Sequence, residues 1–163
     1  VKRFWDAYWH LAKDAAPRLA MPRPREVLPA GSDFVLFRPV ALPQAISLRH
    51  KVGLGCVDLE FRGLGDRVAE LERLLGGALP PGAHLAKAAK SAAIRCHVEK
   101  VNMASADFLA SEASIRRSIE TAVVLLDWFT SLDPSVRSAA LSCAAIATRT
   151  AFNQLGKNPS IDK

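Results

Sequence analysis

Hydrophobic and polar residues alternate most regularly in two short runs that are separated by Gly53-Leu54-Gly55. This alternation is typical of strands with one buried face, and the glycines predict that the two runs form a hairpin. Pairing Val52 with Val57 across the turn puts the apolar side chains of both strands on the same face. We therefore predict a hairpin in this register, with its apolar face in the core.

The second face of this hairpin carries charged residues of opposite sign. In the predicted register Lys51 lies opposite Asp58, and Arg49 lies opposite Glu60. Such pairs stabilise a sheet, whereas a shift by one residue would place the charges against apolar side chains. We therefore expect both acids to be neutralised by the neighbouring strand. His50 falls on the apolar face, where a hydrogen-bonded core histidine is the common outcome.

The remaining periodicities complete the element order α-β-β-β-α-β-α-α. This order predicts an α+β fold, with a four-stranded, mostly antiparallel sheet and helices packed on it. Asp66 or Gly65 is expected to cap the inserted helix, and Asp133-Pro134 to open the last one. The chain is predicted to be one domain with four segments: a helix over 1–16, a proline-rich connection over 17–32, a sheet with an inserted helix over 33–101, and C-terminal helices over 110–153.

Composition places the chain among ordinary globular domains, since half of its 163 residues are hydrophobic and 23% are charged. The three cysteines are widely spaced and form no C-x-x-C motif, which argues against a disulfide framework or a zinc site. This usage predicts a reducing, cytoplasmic location. No stretch has the length and hydrophobicity of a membrane span, and the charged N-terminal residues do not fit a signal peptide.

The net charge of +6 and the pI near 9.6 favour a polyanionic partner, DNA or RNA. The basic residues are scattered along the chain, and those chosen as a nucleic-acid-binding surface are Arg49, Lys51, Lys87, Lys90 and Arg95. The alternative partner is protein. Residues 133–152 form a helix whose middle carries no charge, so this helix could mediate homo-oligomerisation or another protein contact. The two hypotheses carry about equal weight.

No self-sufficient catalytic or metal-binding motif is present in the sequence. The glycines lack the spacing of a dinucleotide or phosphate loop, and no serine or cysteine sits in a nucleophile-elbow pattern. The string Asp58-Leu-Glu60-Phe-Arg62 could in principle hold a divalent ion and activate water. Because Lys51 and Arg49 are expected to neutralise both acids, a structural charge ladder is the favoured interpretation. We therefore assign no catalytic residue, metal or cofactor.

Five strings resemble the C-terminal region of uncharacterised bacterial proteins of the PD-(D/E)XK nuclease superfamily: Phe4-Trp5, 32–39, 50–61, 90–95 and 125–128. In that superfamily, magnesium-dependent cleavage of phosphodiesters uses an acid on one strand and an acid-x-lysine motif on the next. None of the sixteen acids here has a lysine two positions later, and Glu60-x-Arg62 comes nearest.

The resemblance implies that a nuclease core would precede this segment. We therefore predict a non-catalytic accessory domain that contacts nucleic acid. A third hypothesis, behind the nucleic-acid and protein-interaction ones, is a variant nuclease that uses Mg²⁺ and the residues Asp33, Asp58, Glu60 and Arg62.

Overall fold

The computed structural model of the chain describes residues 2–23, 34–103 and 111–155, with side chains up to residue 144. Within these ranges it confirms the predicted α+β class, with four α-helices and a five-stranded sheet. The elements are, in chain order, α1 (Lys2–Ala15), a short 3-10 helix (Pro17–Leu19), β1 (Phe34–Phe37), β2 (Ile46–Lys51), β3 (Cys56–Phe61), α2 (Val68–Leu75), β4 (Ala83–Lys87), β5 (Ala92–His97), α3 (Glu112–Ser131) and α4 (Pro134–Leu155).

The strands lie in the order β1-β2-β3-β5-β4, and every neighbouring pair is antiparallel. The prediction of four strands missed β4. This strand consists of Ala-His-Leu-Ala-Lys, which has little intrinsic β propensity, and it lies at the edge of the sheet. Its pairing with β5, which follows directly in the chain, makes it a strand. Such pairing is a tertiary effect that local propensity does not reveal.

The β2–β3 hairpin forms as predicted, but its register differs by two residues. Lys51 pairs with Cys56, and Arg49 lies directly opposite Asp58. A shift of two residues keeps every side chain on its predicted face because side chains alternate with a period of two. The predicted ion pairs are therefore confirmed, although they run diagonally between the strands: Lys51 contacts Asp58, and Arg49 contacts Glu60.

The turn of this hairpin explains the register. Gly55 has φ of +66°, a left-handed conformation that side-chain-bearing residues rarely adopt. The observed four-residue loop runs from Val52 to Gly55 and puts the glycine at its last position. The predicted register would have put Cys56 there instead. The conformational freedom of glycine therefore selects the observed pairing.

The core lies on one face of the sheet, where α1 and α3 pack. Phe4, Trp5 and Tyr8 of α1 are buried, and the Tyr8 hydroxyl forms a 2.8 Å hydrogen bond with Nδ1 of His50. His50 is thus the hydrogen-bonded core histidine that the pattern predicted. On β3, the ring of Phe61 meets that of Phe129 of α3 edge-on at 6.0 Å. We call this side of the sheet the helix side.

The predicted start of α4 is confirmed, whereas the predicted start of α2 is wrong. In α4, Oδ1 of Asp133 accepts a 2.9 Å hydrogen bond from the backbone N–H of Ser135, as expected for an N-terminal cap followed by proline. Helix α2 begins at Val68 with Arg67 before it, because residues 65 and 66 form a further turn. Across residues 2–23, 34–103 and 111–155, no helix is long and apolar enough to cross a membrane.

The two segments that flank α1 and β1 are only partly described. The proline-rich connection predicted over 17–32 begins with the 3-10 helix, and its residues 24–32 lie outside the described ranges. Asp33 lies outside them as well.

Candidate functional site

The face of the sheet opposite the helix side collects most of the charged residues of the strands. Arg49 of β2, Asp58 of β3, Arg95 of β5 and His84 of β4 form one row across four strands. A second row places Phe34, Lys51, Cys56 and His97 side by side. Glu60 follows Asp58 on the same face of β3. We call the surface made by these side chains the charged face.

Asp58 is the centre of the charged face. Its carboxylate accepts two hydrogen bonds from Arg95, at 2.8 and 2.7 Å, and pairs with Nζ of Lys51 at 2.8 Å. Burial alone would raise the pKa of Asp58, but the hydrogen bonds and charges of Arg95 and Lys51 outweigh burial and lower it. Asp58 therefore stays ionised and holds two cations side by side.

Glu60 is held by two further cations. Nη1 of Arg49 lies 3.8 Å from Oε2 of Glu60, and Nε of Arg62 lies 3.4 Å from Oε1. Arg62 follows β3 directly and is counted with the charged face from here on. Four cations therefore surround two carboxylates, and the face carries an excess of two positive charges. The variant-nuclease hypothesis uses four residues. Three of them, Asp58, Glu60 and Arg62, already form ion pairs within the chain. The fourth, Asp33, lies outside the described residues.

The structure separates the five predicted nucleic-acid-binding residues. Arg49, Lys51 and Arg95 lie together on the charged face, and their side chains are 19, 23 and 27% exposed. Lys87 instead pairs with Glu72 of α2 at 2.9 Å, so it belongs to the helix side. Lys90 is exposed in the turn between β4 and β5, where its carbonyl oxygen accepts the N–H of Leu64.

Three aromatic residues of the charged face were not among the predicted site residues. Phe34 is 40% exposed, and the guanidinium carbon of Arg49 lies 5.1 Å from its ring centre. His84 and His97 stack on each other, with ring centres 5.1 Å apart and planes at 20°. The alternation within β1 could have placed Phe34 on the face of Lys51. His84 could not be placed because β4 was missed.

The cysteines offer no reactive thiol. All three are unpaired and buried, and burial is the main cause that raises the pKa of each. A thiol becomes a nucleophile or a metal ligand as its thiolate, so a raised pKa opposes both roles. Over the described part of the chain, no three residues of the types His, Cys, Asp and Glu come together in a way that could hold a metal ion.

Comparison of the chain with protein-family models, curated proteins and solved structures returns no match. The resemblance to the PD-(D/E)XK nuclease superfamily therefore stays a prediction from the sequence strings. The candidate function rests on the arrangement of the charged face.

Proposed function

We propose that this chain is a non-catalytic binding domain that contacts single-stranded nucleic acid through the charged face. The observation that carries the proposal is the convergence of Arg49, Lys51 and Arg95 on one sheet face beside the half-exposed ring of Phe34. Cations and exposed aromatic rings are what a surface needs to hold phosphates and stack bases.

The excess positive charge supports the phosphate contacts. Each cation of the charged face keeps part of its side chain in solvent, so a phosphate can reach it without unfolding the sheet. Because Asp58 and Glu60 already neutralise half of the cationic charge, the attraction is modest. The proposal therefore implies weak binding with little sequence preference, as phosphate contacts carry no direct sequence information.

The aromatic residues support a single strand over a duplex. Phe34 lies at one end of its row and His97 at the other, with Lys51 and Cys56 between them. Unpaired bases can stack on rings of this kind, whereas the bases of a duplex are already stacked on each other. The charged face thus offers a stacking position at each end and cations between.

Fluorescence anisotropy with a labelled single-stranded oligonucleotide tests the proposal. With two to three phosphates neutralised, the affinity should fall about tenfold between about 50 and about 200 mM salt. Phe34→Ala should weaken binding at both salt concentrations and leave the salt dependence unchanged. The absence of binding at low salt would reject the nucleic-acid function.

A matched pair of lysine variants locates the contact. Lys51→Gln and Lys87→Gln each remove one cation that is paired with a carboxylate, but only Lys51 lies on the charged face. We expect Lys51→Gln to weaken binding several times more than Lys87→Gln. Equal losses would show that only the net charge matters and that the charged face is not the contact surface.

Oligomerisation through residues 133–152 remains the alternative function. Ala140, Cys143 and Ala144 are buried within this chain, and α4 packs against α2. This part of the helix is therefore already used by the core of its own domain. The side chains of residues 145–152 of the same helix lie outside the described part of the chain.

A further inference from the structure

A cavity of about 420 Å³ opens at the end of the sheet where β1 leads into β2. Its apolar wall is formed by Pro39, Leu42, Pro43 and Ile46, and its polar wall includes Arg38, Arg62 and Ser47. The volume lies in the range of small-molecule sites, which bury a mainly apolar ligand and orient it with a few polar groups. The cavity is large enough for more than a bare anion.

The charge of the polar wall favours an anionic ligand. The guanidinium of Arg38 makes no ion pair within the described part of the chain, and that of Arg62 shares Glu60 with Arg49. Arginine side chains bind phosphate with two parallel hydrogen bonds, which adds geometric specificity to the charge attraction. Both cations can therefore act on one ligand group without breaking a buried ion pair.

Ser47 supplies an independent observation. It is 9% exposed, it lines the cavity, and its hydroxyl has no hydrogen-bond partner within the described part of the chain. A buried hydroxyl without a partner is unfavourable, and rotation of χ1 to another staggered rotamer can turn the hydroxyl towards a ligand oxygen. A bound phosphate would satisfy the hydroxyl.

We propose that this cavity binds a phosphate monoester, with the phosphate held by Arg38, Arg62 and Ser47 and the attached organic group against the apolar wall. Two sources share this chemistry: a free mononucleotide and the 5′-phosphorylated end of a nucleic-acid strand. The cavity shares Arg62 with the charged face but makes no use of Lys51, Arg95 or Phe34, so the inference does not depend on nucleic-acid binding by the charged face.

Calorimetry on the full chain with adenosine 5′-monophosphate and with adenosine tests the inference. The monophosphate should bind and adenosine should bind at least about tenfold more weakly, since it lacks the charged group. Arg38→Gln and Arg62→Gln should each weaken monophosphate binding about tenfold. Equal affinity for both probes, or no binding of the monophosphate, would overturn the assignment.

Two controls separate binding from folding. Ser47→Ala removes a hydroxyl that bonds to nothing in the described structure, so it should weaken monophosphate binding without lowering the thermal midpoint. Arg117→Gln removes an exposed cation on α3, on the helix side, and should leave binding unchanged. Loss of binding in Arg117→Gln equal to that in Arg38→Gln would overturn the site.

Oligonucleotides with a 5′-phosphate or a 5′-hydroxyl distinguish the two sources. A strand end is the ligand if the phosphate tightens binding in the wild-type chain but not in Arg38→Gln. A free mononucleotide is the ligand if the strand's phosphate has no effect while the monophosphate still binds. Failure of both probes rejects the cavity as a phosphate site, even if an unphosphorylated strand still binds to the charged face.

Discussion

Asp58 is a fully buried carboxylate on a surface whose other charges are mostly positive. Its two bonds to Arg95 and its pair with Lys51 fix the positions of both cations relative to each other. The lowered pKa of Asp58 has the same cause, and it makes the residue unsuited to proton transfer near neutral pH. At the residue scale, therefore, the acid fixes the positions of Arg95 and Lys51 on the charged face.

Because Asp58 is buried, its ion pairs should contribute more to the free energy of unfolding than an exposed pair does. We expect Asp58→Asn to lower the free energy of unfolding by about 2 kcal/mol, because two cations lose their charged partner but remain partly hydrated. Asp127→Asn is the matched control, since Asp127 also accepts two 2.7 Å hydrogen bonds from one arginine, Arg18, but is half exposed. That change should cost less than about 1 kcal/mol in urea denaturation. Equal costs would contradict the role assigned to burial.

His50 predicts how stability depends on pH. Burial lowers its pKa to about 4, below the value of about 6.5 expected in the unfolded chain. The unfolded state therefore binds a proton first as the pH falls, and stability is full above about pH 6.5 and is lost towards pH 4. Between pH 7 and pH 5 this one group should cost about 2 kcal/mol.

The variant His50→Gln checks this pH dependence. Glutamine does not titrate, and its side-chain oxygen can still accept a hydrogen bond from Tyr8. Its unfolding free energy should change much less than that of the wild-type chain between pH 7 and pH 5. Asp58 does not contribute to the change in stability between pH 7 and pH 5. Its pKa is lowered in the folded state, so it affects stability only below the pKa of about 3.9 that it has in the unfolded chain. Parallel pH profiles for both proteins would contradict the assignment.

Local alternation allowed the site residues of a hairpin to be predicted, but not their long-range partners. The charges of Lys51 and Asp58 stand near each other in sequence, so the pattern predicted their pair. Arg95 was chosen only as a scattered cation, because nothing local shows that β5 lies beside β3. Sheet order depends on tertiary packing of the whole chain, and the main partner of Asp58 therefore became known only from the structure.

At the scale of the elements, the β2–β3 hairpin shows what a pattern can and cannot determine. The period of two fixed which residues face the core, and this prediction is confirmed along both strands. The register depended on the conformation of one turn residue, Gly55, which the alternation does not specify. Strand β4 escaped prediction for a related reason, since its pairing with β5 compensates for its weak propensity.

Gly55 should be far less tolerant of substitution than another glycine with a similar backbone. A Cβ at Gly55 would lie 2.7 Å from Cγ of Lys100 and 2.8 Å from the carbonyl oxygen of Val98. At Gly65, where φ is +57°, a Cβ would have no neighbour within 4 Å. Gly65→Ala should therefore cost only the backbone penalty of about 1–2 kcal/mol, and Gly55→Ala should cost clearly more. Equal shifts of the urea midpoint would contradict the close approach of residues 98–100.

At the scale of the whole molecule, the two faces of the sheet differ in composition: one packs the apolar core and the other carries the ion pairs. The helix side carries the aromatic core from α1, β3 and α3, and it supplies the stability. The charged face is free to carry cations because its strands are already held by the packing behind them. This division is typical of antiparallel sheets, which can pack one face on the core and leave the other in contact with water. The cavity beside Ser47 lies at the end of the same sheet, where β1 and β2 meet.

Helix α4 decides whether the fold needs its C-terminal part. Ala140, Cys143 and Ala144 are buried in the same core as Leu71 and Leu75 of α2, and α2 packs against α4. A chain that ends at Leu132 would expose this part of α2 to water, at an expected cost of several kcal/mol from lost apolar burial. Such a loss is comparable with the whole stability of a typical domain.

We therefore expect the truncated chain to be insoluble, or to lose its cooperative thermal transition, while the full chain keeps one. Sedimentation and thermal unfolding of both chains provide the measurement. A truncated chain that stays folded and monomeric, beside a dimeric full chain, would instead assign α4 to self-association.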